Sequence, residues 1–185
     1  GIDPSNGKEL FYAKDGSYTY DFSYDDEVIC GNTRPDVEGV IGSSLNWKGF
    51  SVSLNFRYQM GADVFNEALY SKVENISSDL NKNQDKRALY ERWQEEGDIV
   101  RFKNIASAET TPMSSRFVQE ENVLTLESVY LGYEFYDGWI KKLGLSSLKF
   151  QVSMRDVFRA STIRSERGIS YPFARSMEAG LSFNF

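Results

Sequence analysis

The sequence contains no histidine and only one cysteine, Cys30. Histidine is the commonest general base and metal ligand near neutral pH, and a lone cysteine cannot form a disulfide within the chain. We therefore expect no metal site, no cofactor and no triad chemistry, and the chain is predicted not to be an enzyme. In its Ile-Cys-Gly context, Cys30 is expected to be a small buried or loop residue rather than a nucleophile.

Long apolar runs and an excess of positive charge are also missing. No run of about 18 apolar residues occurs, which excludes a spanning helix in this sequence. The formal net charge is −6, from 21 basic and 27 acidic residues, whereas nucleic-acid binding requires a basic surface. Barrel strands place an apolar residue only at alternate positions, so the negative mean hydropathy does not exclude a membrane-spanning barrel.

The most informative pattern in the sequence is the alternation of residues 50–60, which are apolar and polar in turn without a fault. Successive side chains of a strand point to opposite sides, so this segment has one apolar and one polar face. Soluble strands usually run about 5–6 residues, whereas a tilted transmembrane strand needs about 9–11. The length therefore favours a strand that crosses a membrane.

Similar alternation predicts strands at residues 37–47, 123–135, 148–154 and 177–185. Lys48-Gly49 predicts a tight turn before residue 50, and Asp15-Gly16 predicts a short hairpin within residues 8–22. Residues 21–35 are acidic and predicted to be a loop, residues 63–71 and 85–96 are predicted to be weakly helical, and residues 158–173 are predicted to be a polar loop. Counted from residue 47, the connections are short, long, intermediate and long, an order expected when hairpins have tight turns on one side and long loops on the other.

Several segments resemble, in order, the C-terminal end of the SusC/RagA family of TonB-dependent outer-membrane transporters. These segments are Asn32-Thr33-Arg34-Pro35-Asp36, Trp47-Lys48-Gly49-Phe50, residues 56–64, Arg92-Trp93 with Glu96-Gly97-Asp98, residues 129–133, and Tyr171-Pro172-Phe173-Ala174-Arg175 before a strand ending in Phe185. The resemblance covers nearly the whole chain. Members of this family import glycans or peptides together with a SusD-like surface lipoprotein.

The resemblance implies an all-β fold, in which the chain supplies the C-terminal antiparallel strands of a transmembrane barrel of about 22 strands. It divides the chain into a hairpin and loop (1–35), a strand hairpin (36–61), a long, partly helical extracellular loop (62–121) and the last strands (122–185). The plug domain and the segment that meets TonB are expected to lie outside this sequence, which begins without methionine.

The resemblance also implies partners and a location in the Gram-negative outer membrane. The partners are a SusD-like lipoprotein, the TonB complex, outer-membrane lipid, a glycan or peptide cargo, and the barrel-assembly machinery. Phe183 and Phe185 resemble the C-terminal signal that this machinery reads.

Two groups of residues are candidates for contact with cargo or partner. Lumen candidates lie on the polar faces of predicted strands: Asn55, Arg57, Gln59, Lys149, Gln151 and Ser153. Loop candidates are Tyr70, Tyr90, Arg92 and Trp93 in the long connection, and Arg164, Arg167 and Tyr171 in the shorter one. The lumen group could instead contact the plug or water. The loop rings could stack on sugars, cap a loop or, the favoured interpretation, meet the partner lipoprotein.

The competing hypothesis is a soluble all-β carbohydrate-binding module with a lectin-like sandwich. In such a module, the face bearing Phe50, Val52, Leu54 and Phe56 would pack against a second sheet. In a transporter the same face would contact lipid.

Overall fold

The computed structural model describes residues 1–76, 81, 84–107, 109–136, 138–164 and 175–185. The chain forms two compact units, one made of residues 1–33 and 63–119 and the other of residues 34–62 and 120–185. Within the described residues, no helix is both long and apolar enough to cross a membrane.

The first unit begins with the predicted hairpin. Strand β1 (Phe11–Tyr12) pairs antiparallel with β2 (Tyr18–Thr19). In the turn, Gly16 has φ +85°, a conformation that glycine adopts without steric cost. The Asp15 carboxylate accepts hydrogen bonds from the backbone N–H and the hydroxyl of Ser17, at 2.8 and 2.6 Å. The Asp-Gly signal is thus confirmed as a hairpin turn.

Short helical segments carry the core of the first unit. They are α1 (Glu67–Leu69), a π-helix (Tyr70–Glu74), and 3-10 turns at Tyr24–Asp26, Lys86–Leu89 and Ser115–Phe117. The buried core consists of Leu69, Val73, Ile76, Ala88, Phe102 and Phe117. Asn66 begins the helical run, because its side-chain oxygen accepts a hydrogen bond from the Leu69 N–H at 3.1 Å.

A five-stranded sheet contains the long strands, in the order β3-β4-β5-β6-β7. The strands are β3 (Val37–Trp47), β4 (Phe50–Phe65), β5 (Val118–Phe135), β6 (Ser147–Ser161) and β7 (Met177–Asn184), and α2 (Gly138–Lys142) lies between β5 and β6 in sequence. The β3-β4, β5-β6 and β6-β7 ladders are antiparallel. The expected all-β antiparallel fold is confirmed.

The turn between β3 and β4 is the predicted two-residue turn. Lys48 and Gly49 have φ of +45° and +88°, and hairpin turns with two positive φ values match the twist of the flanking strands. This turn pairs Trp47 with Phe50 and Val37 with Met60. Ile41 and Leu45 also face apolar partners, Phe56 and Val52, and these matched pairs favour this register.

Hydrogen bonds between β4 and β5 also run antiparallel. The Glu134 N–H donates to the carbonyl of Gly49, the turn residue just before β4, and the Asn55 amide donates to the Ser128 hydroxyl, each at 2.9 Å. Further along β4, the Gly61 N–H donates to the Asn122 side-chain oxygen, also at 2.9 Å. Since positions rise along β4 as their partners fall along β5, the two strands run in opposite directions.

Three strands are longer than predicted. β4 continues to Phe65, β5 already begins at Val118 and β6 continues to Ser161. The helical prediction for residues 63–71 is therefore wrong at its start, the polar loop predicted from residue 158 begins too early, and within 85–96 only Lys86–Leu89 is helical, as a 3-10 turn.

The extensions of β4 and β6 do not follow from the sequence pattern because local irregularities interrupt the alternation. Gly61, with φ +81°, interrupts the pattern of β4, although its N–H still bonds across to β5. In β6, the ladder register shifts opposite Leu126 and Ser128, where Asp156 takes φ +50°. A bulge of this kind changes the side-chain period without ending the strand.

Several side chains on the apolar side of the sheet are exposed in the second unit, while Val52, Leu54 and Phe56 are half-buried. Ile41, Leu45, Phe50 and Leu181 each retain between 52 and 64% of their accessible surface. The described residues of this unit form one sheet, with no second sheet over it. The packing expected of a sandwich module is therefore absent from the described part of this unit.

Candidate binding surfaces

The six lumen candidates share the polar face of the sheet, and Ser153 follows Gln151 on that face of β6. Asn55, Arg57 and Gln59 alternate along β4, and Lys149 and Gln151 alternate along β6. Asn55 bonds to Ser128 of β5, while Tyr130, which lies on the same face of β5 two residues on, donates its hydroxyl to Gln151 at 3.1 Å. The fold thus brings both sets to one side of the sheet, with β5 between them.

On β4 the polar side chains bond to neighbouring strands. Arg57 donates through Nε to the Glu127 carboxylate at 2.5 Å, and Gln59 donates to the Glu38 carboxylate at 3.3 Å. The side chain of Arg57 remains 46% exposed, and its Nη groups can still donate to another acceptor. Among the β4 candidates, Arg57 is therefore the best placed to bind an anionic or hydroxyl-rich group.

On β5 and β6, one ring organises the polar face. The ring of Tyr130 lies against Gly132, where an added Cβ would come within 2.9 Å of the tyrosine hydroxyl. The Lys149 ammonium lies 5.8 Å from the centre of the same ring, within the range of a cation–π contact. This arrangement fixes Gln151 and Lys149, and leaves both half-buried.

The loop candidates of the long connection occupy different environments. Tyr70 packs its ring against Phe65 and Phe117, with centroids 5.5 and 5.3 Å away. Trp93 donates its indole N–H to the Pro4 carbonyl at 2.9 Å, whereas Tyr90 is 65% exposed. In this unit Tyr70 and Trp93 thus have internal packing roles, and their contact with cargo or partner stays a prediction.

Arg92 is buried and serves as a hub of backbone contacts. Its guanidinium donates to the carbonyls of Ala88 at 2.7 Å, Lys103 at 2.9 Å and Glu74 at 3.3 Å, and also to that of Val73. Burial lowers the pKa of Arg92. The contacts of this residue are structural here. Of the other loop candidates, Arg164 is exposed, while Arg167 and Tyr171 lie outside the described residues.

An ionic cluster that the sequence analysis missed lies close to Arg92. Arg116 Nη2 is 2.7 Å from Glu9 Oε1 and 2.7 Å from Glu74 Oε1. The side chain of Glu74 has no accessible surface and also accepts a hydrogen bond from the Thr111 hydroxyl at 3.0 Å. Burial raises the pKa of Glu9, and the Arg116 charge opposes that rise. No local pattern marks residues that lie so far apart in sequence.

A cavity of about 630 Å³ opens in the first unit. Its lining includes four carboxylates and four aromatic rings: Glu9, Asp21, Asp26, Glu27, Phe11, Tyr12, Phe22 and Phe65. Met113, Ser114, Arg116 and the thiol-bearing Cys30 also line it. The acidic character of residues 21–35 was visible in the sequence, but the rings around it were not assigned to a site. No cluster suited to a metal ion occurs among the described residues.

Comparison with curated proteins identifies relatives of one kind. TonB-dependent receptor P39 of Formosa agariphila is 24% identical over 156 residues, which cover 82% of this chain and 15% of that protein. TonB-dependent receptor P3 of the same organism is 24% identical over 203 residues, covering 99% of this chain and 19% of that protein. The predicted resemblance to TonB-dependent receptors is confirmed. No family model matches the sequence.

Solved structures of transport proteins contain the same fold as this chain. The structure of the RagAB peptide transporter matches 100% of this chain and 22% of its own, with a TM-score of 0.78 and 22% identity. The RagAB peptide importer in the 'open-open' state matches 100% of this chain and 21% of its own, with a TM-score of 0.75 and 21% identity. The chain therefore spans about a fifth of the proteins it matches. The matched proteins are named receptors and importers, not enzymes, in agreement with the sequence prediction.

Proposed function

We propose that this chain forms part of a TonB-dependent outer-membrane importer of oligosaccharides or peptides that works with a SusD-like lipoprotein. The observation that carries the proposal is the exposed apolar side of the five-stranded sheet, in a chain whose whole fold matches a RagAB importer. Soluble monomers rarely leave apolar patches larger than a few hundred Å² in water. Lipid would cover this side of the sheet, and the polar side would line the barrel lumen.

The same proposal places the other strands, the plug and the TonB-contacting segment in the remainder of a barrel of about 22 strands. The barrel-assembly machinery would read Phe183 and Phe185. Asn55, Arg57, Gln59, Lys149 and Gln151 would then offer hydrogen bonds to polar cargo or to the plug. The solved neighbours are named for peptides, which supports a peptide cargo beside the glycan alternative.

The alternative of a lectin-like module receives less support. A sandwich requires a second sheet over the apolar side of the first. Among the described residues of the second unit, one sheet is present, and Ile41, Leu45, Phe50 and Leu181 on its apolar side are exposed.

Spin-label accessibility in the intact protein, reconstituted in bilayers, tests the orientation of the sheet. In a Cys30→Ser background, labels introduced at Val52→Cys and Leu54→Cys should be accessible to oxygen, which concentrates in lipid. Labels at the alternate positions, Ser51→Cys and Ser53→Cys, should instead be more accessible to a water-soluble nickel complex than to oxygen. Equal accessibility at all four positions would refute the membrane assignment.

Uptake measurements test import directly. Cells that lack the gene for this protein should lose accumulation of a fluorescent oligosaccharide or peptide, and cells that lack TonB should lose the same accumulation. Restoring the gene should restore uptake of one of the two cargo classes. Uptake that persists without TonB would contradict the proposal.

A further inference from the structure

Resting on the proposed function, we infer that the cavity of the first unit is a subsite for a basic side chain of a peptide cargo. The cavity has about 630 Å³, within the range of roughly 300–1,000 Å³ usual for ligand pockets. All its lining residues belong to the first unit. Its chemistry combines negative charge with aromatic surface.

The charge of the lining is unbalanced. Arg116 is the one lysine or arginine in the described lining, and it is already paired with Glu9 and with Glu74 below the surface. Asp26 accepts a hydrogen bond from the Lys14 backbone at 3.0 Å. Asp21 and Glu27 remain, and neither side chain contacts a cation among the described residues. The lining is therefore complementary to a positive charge.

The aromatic rings suit the apolar part of a lysine or arginine side chain. Phe11 and Phe22 meet edge to face, with centroids 5.5 Å apart, and Tyr12 also belongs to the lining. Long basic side chains lay their methylene groups against apolar surface while the charged head stays near water or carboxylates. Aromatic faces also attract ammonium and guanidinium groups. An uncharged sugar could stack on the rings and donate hydroxyl hydrogen bonds to the carboxylates, but it would lack the attraction between opposite charges, and an anionic cargo would be repelled.

The experiment uses the purified intact protein and two fluorescent eight-residue peptides, identical except that three lysines in one are three glutamates in the other. The lysine peptide should bind more tightly. The double variant Asp21→Asn/Glu27→Gln should weaken its binding about 3- to 10-fold, the sum expected from two partly exposed ion pairs. The glutamate peptide should bind no more weakly than before.

A matched control separates the cavity from overall charge. Asp25 and Glu96 are exposed residues of the same unit and lie outside the cavity lining. The variant Asp25→Asn/Glu96→Gln changes the net charge by the same amount and should leave lysine-peptide binding unchanged. Equal weakening in both double variants, or in neither, would overturn the inference.

A second readout needs no variant. Cys30 is exposed and lines the cavity, so bound lysine peptide should slow its alkylation by a maleimide, as measured by mass spectrometry of the Cys30 peptide. The glutamate peptide should give no protection, and equal protection by both would overturn the inference. If uptake depends on TonB but shows no preference for charge, the subsite is refuted and the proposed function stands. If Cys30 is protected by the lysine peptide alone but uptake does not depend on TonB, the proposed function is refuted and the subsite stands.

Discussion

Replacement of Arg116 by methionine should unfold the first unit locally. Arg116 holds Glu9 and Glu74 at 2.7 Å each, and the Glu74 side chain is fully buried. Methionine keeps much of the side-chain volume but leaves both carboxylates without their cation. Breaking a buried pair by removing one partner typically costs about 3–5 kcal/mol, because an uncompensated charge remains inside.

The matched control is Arg101→Met. Arg101 lies in the same unit and approaches Glu91 at 3.8 Å, with more than half of each side chain exposed. Exposed pairs of this kind contribute about 0–1 kcal/mol. The two variants remove the same chemical group, so the difference between them reports burial of the charges rather than loss of an arginine.

Hydrogen exchange of the intact protein measures the effect on local opening. A cost of about 3 kcal/mol should speed exchange of protected amides around the cluster by about 100-fold, since each 1.4 kcal/mol is a factor of ten. Adding Glu74→Gln to Arg116→Met should recover part of the loss, because the buried charge is removed with its partner. Unchanged exchange in Arg116→Met, or equal changes in Arg116→Met and Arg101→Met, would refute the reasoning.

Three further predictions concern pH and glycine in the first unit. Because the pKa of Glu9 is raised, this residue stabilises the folded unit at low pH, and the stabilisation is lost as pH rises through the folded-state pKa. Glu9→Gln should therefore reduce the loss of hydrogen-exchange protection over that pH range. The pKa of Asp98 is shifted in the opposite direction, because backbone N–H donors lower it. Its stabilisation of the folded unit is lost as pH falls through the lowered pKa, and Asp98→Asn should abolish this loss of hydrogen-exchange protection at acid pH. Gly7→Ala should loosen the N-terminal segment more than Gly16→Ala in limited proteolysis, because both have positive φ but only at Gly7 would the added Cβ lie 2.5 Å from a ring, that of Trp93; equal protease sensitivity would contradict this.

The bounds of strands and turns were predictable from the sequence where a single local pattern determines the structure. The bounds of β3 and the turn at Lys48-Gly49 follow from alternation and from the positive φ that glycine tolerates. The ends of β4 and β6 did not follow, because Gly61 and the irregularity near Asp156 interrupt the alternation while the ladder continues. Hydrogen bonds to the neighbouring strands hold these extensions in the sheet, and the sequence of one segment does not show which strand it pairs with.

The candidate binding surfaces divide in the same way. The polar face with Asn55 and Gln151 was predictable, because a period of two assigns each residue to a side. The internal role of Arg92 was not predictable, because the sequence does not distinguish an arginine that binds backbone carbonyls from one that binds cargo. The cluster around Arg116 joins residues 42 and 107 positions away, a relation that only the folded chain defines.

The order of the sheet has a practical consequence for handling this polypeptide. Among the described residues, β3 and β7 are the outermost strands, each with a neighbour on one flank. Outer strands offer free N–H and C=O groups to any extended peptide and are common starting points for aggregation. Expressed by itself, this polypeptide should self-associate along these two outer strands into insoluble material, so its biochemistry is best studied in the intact protein.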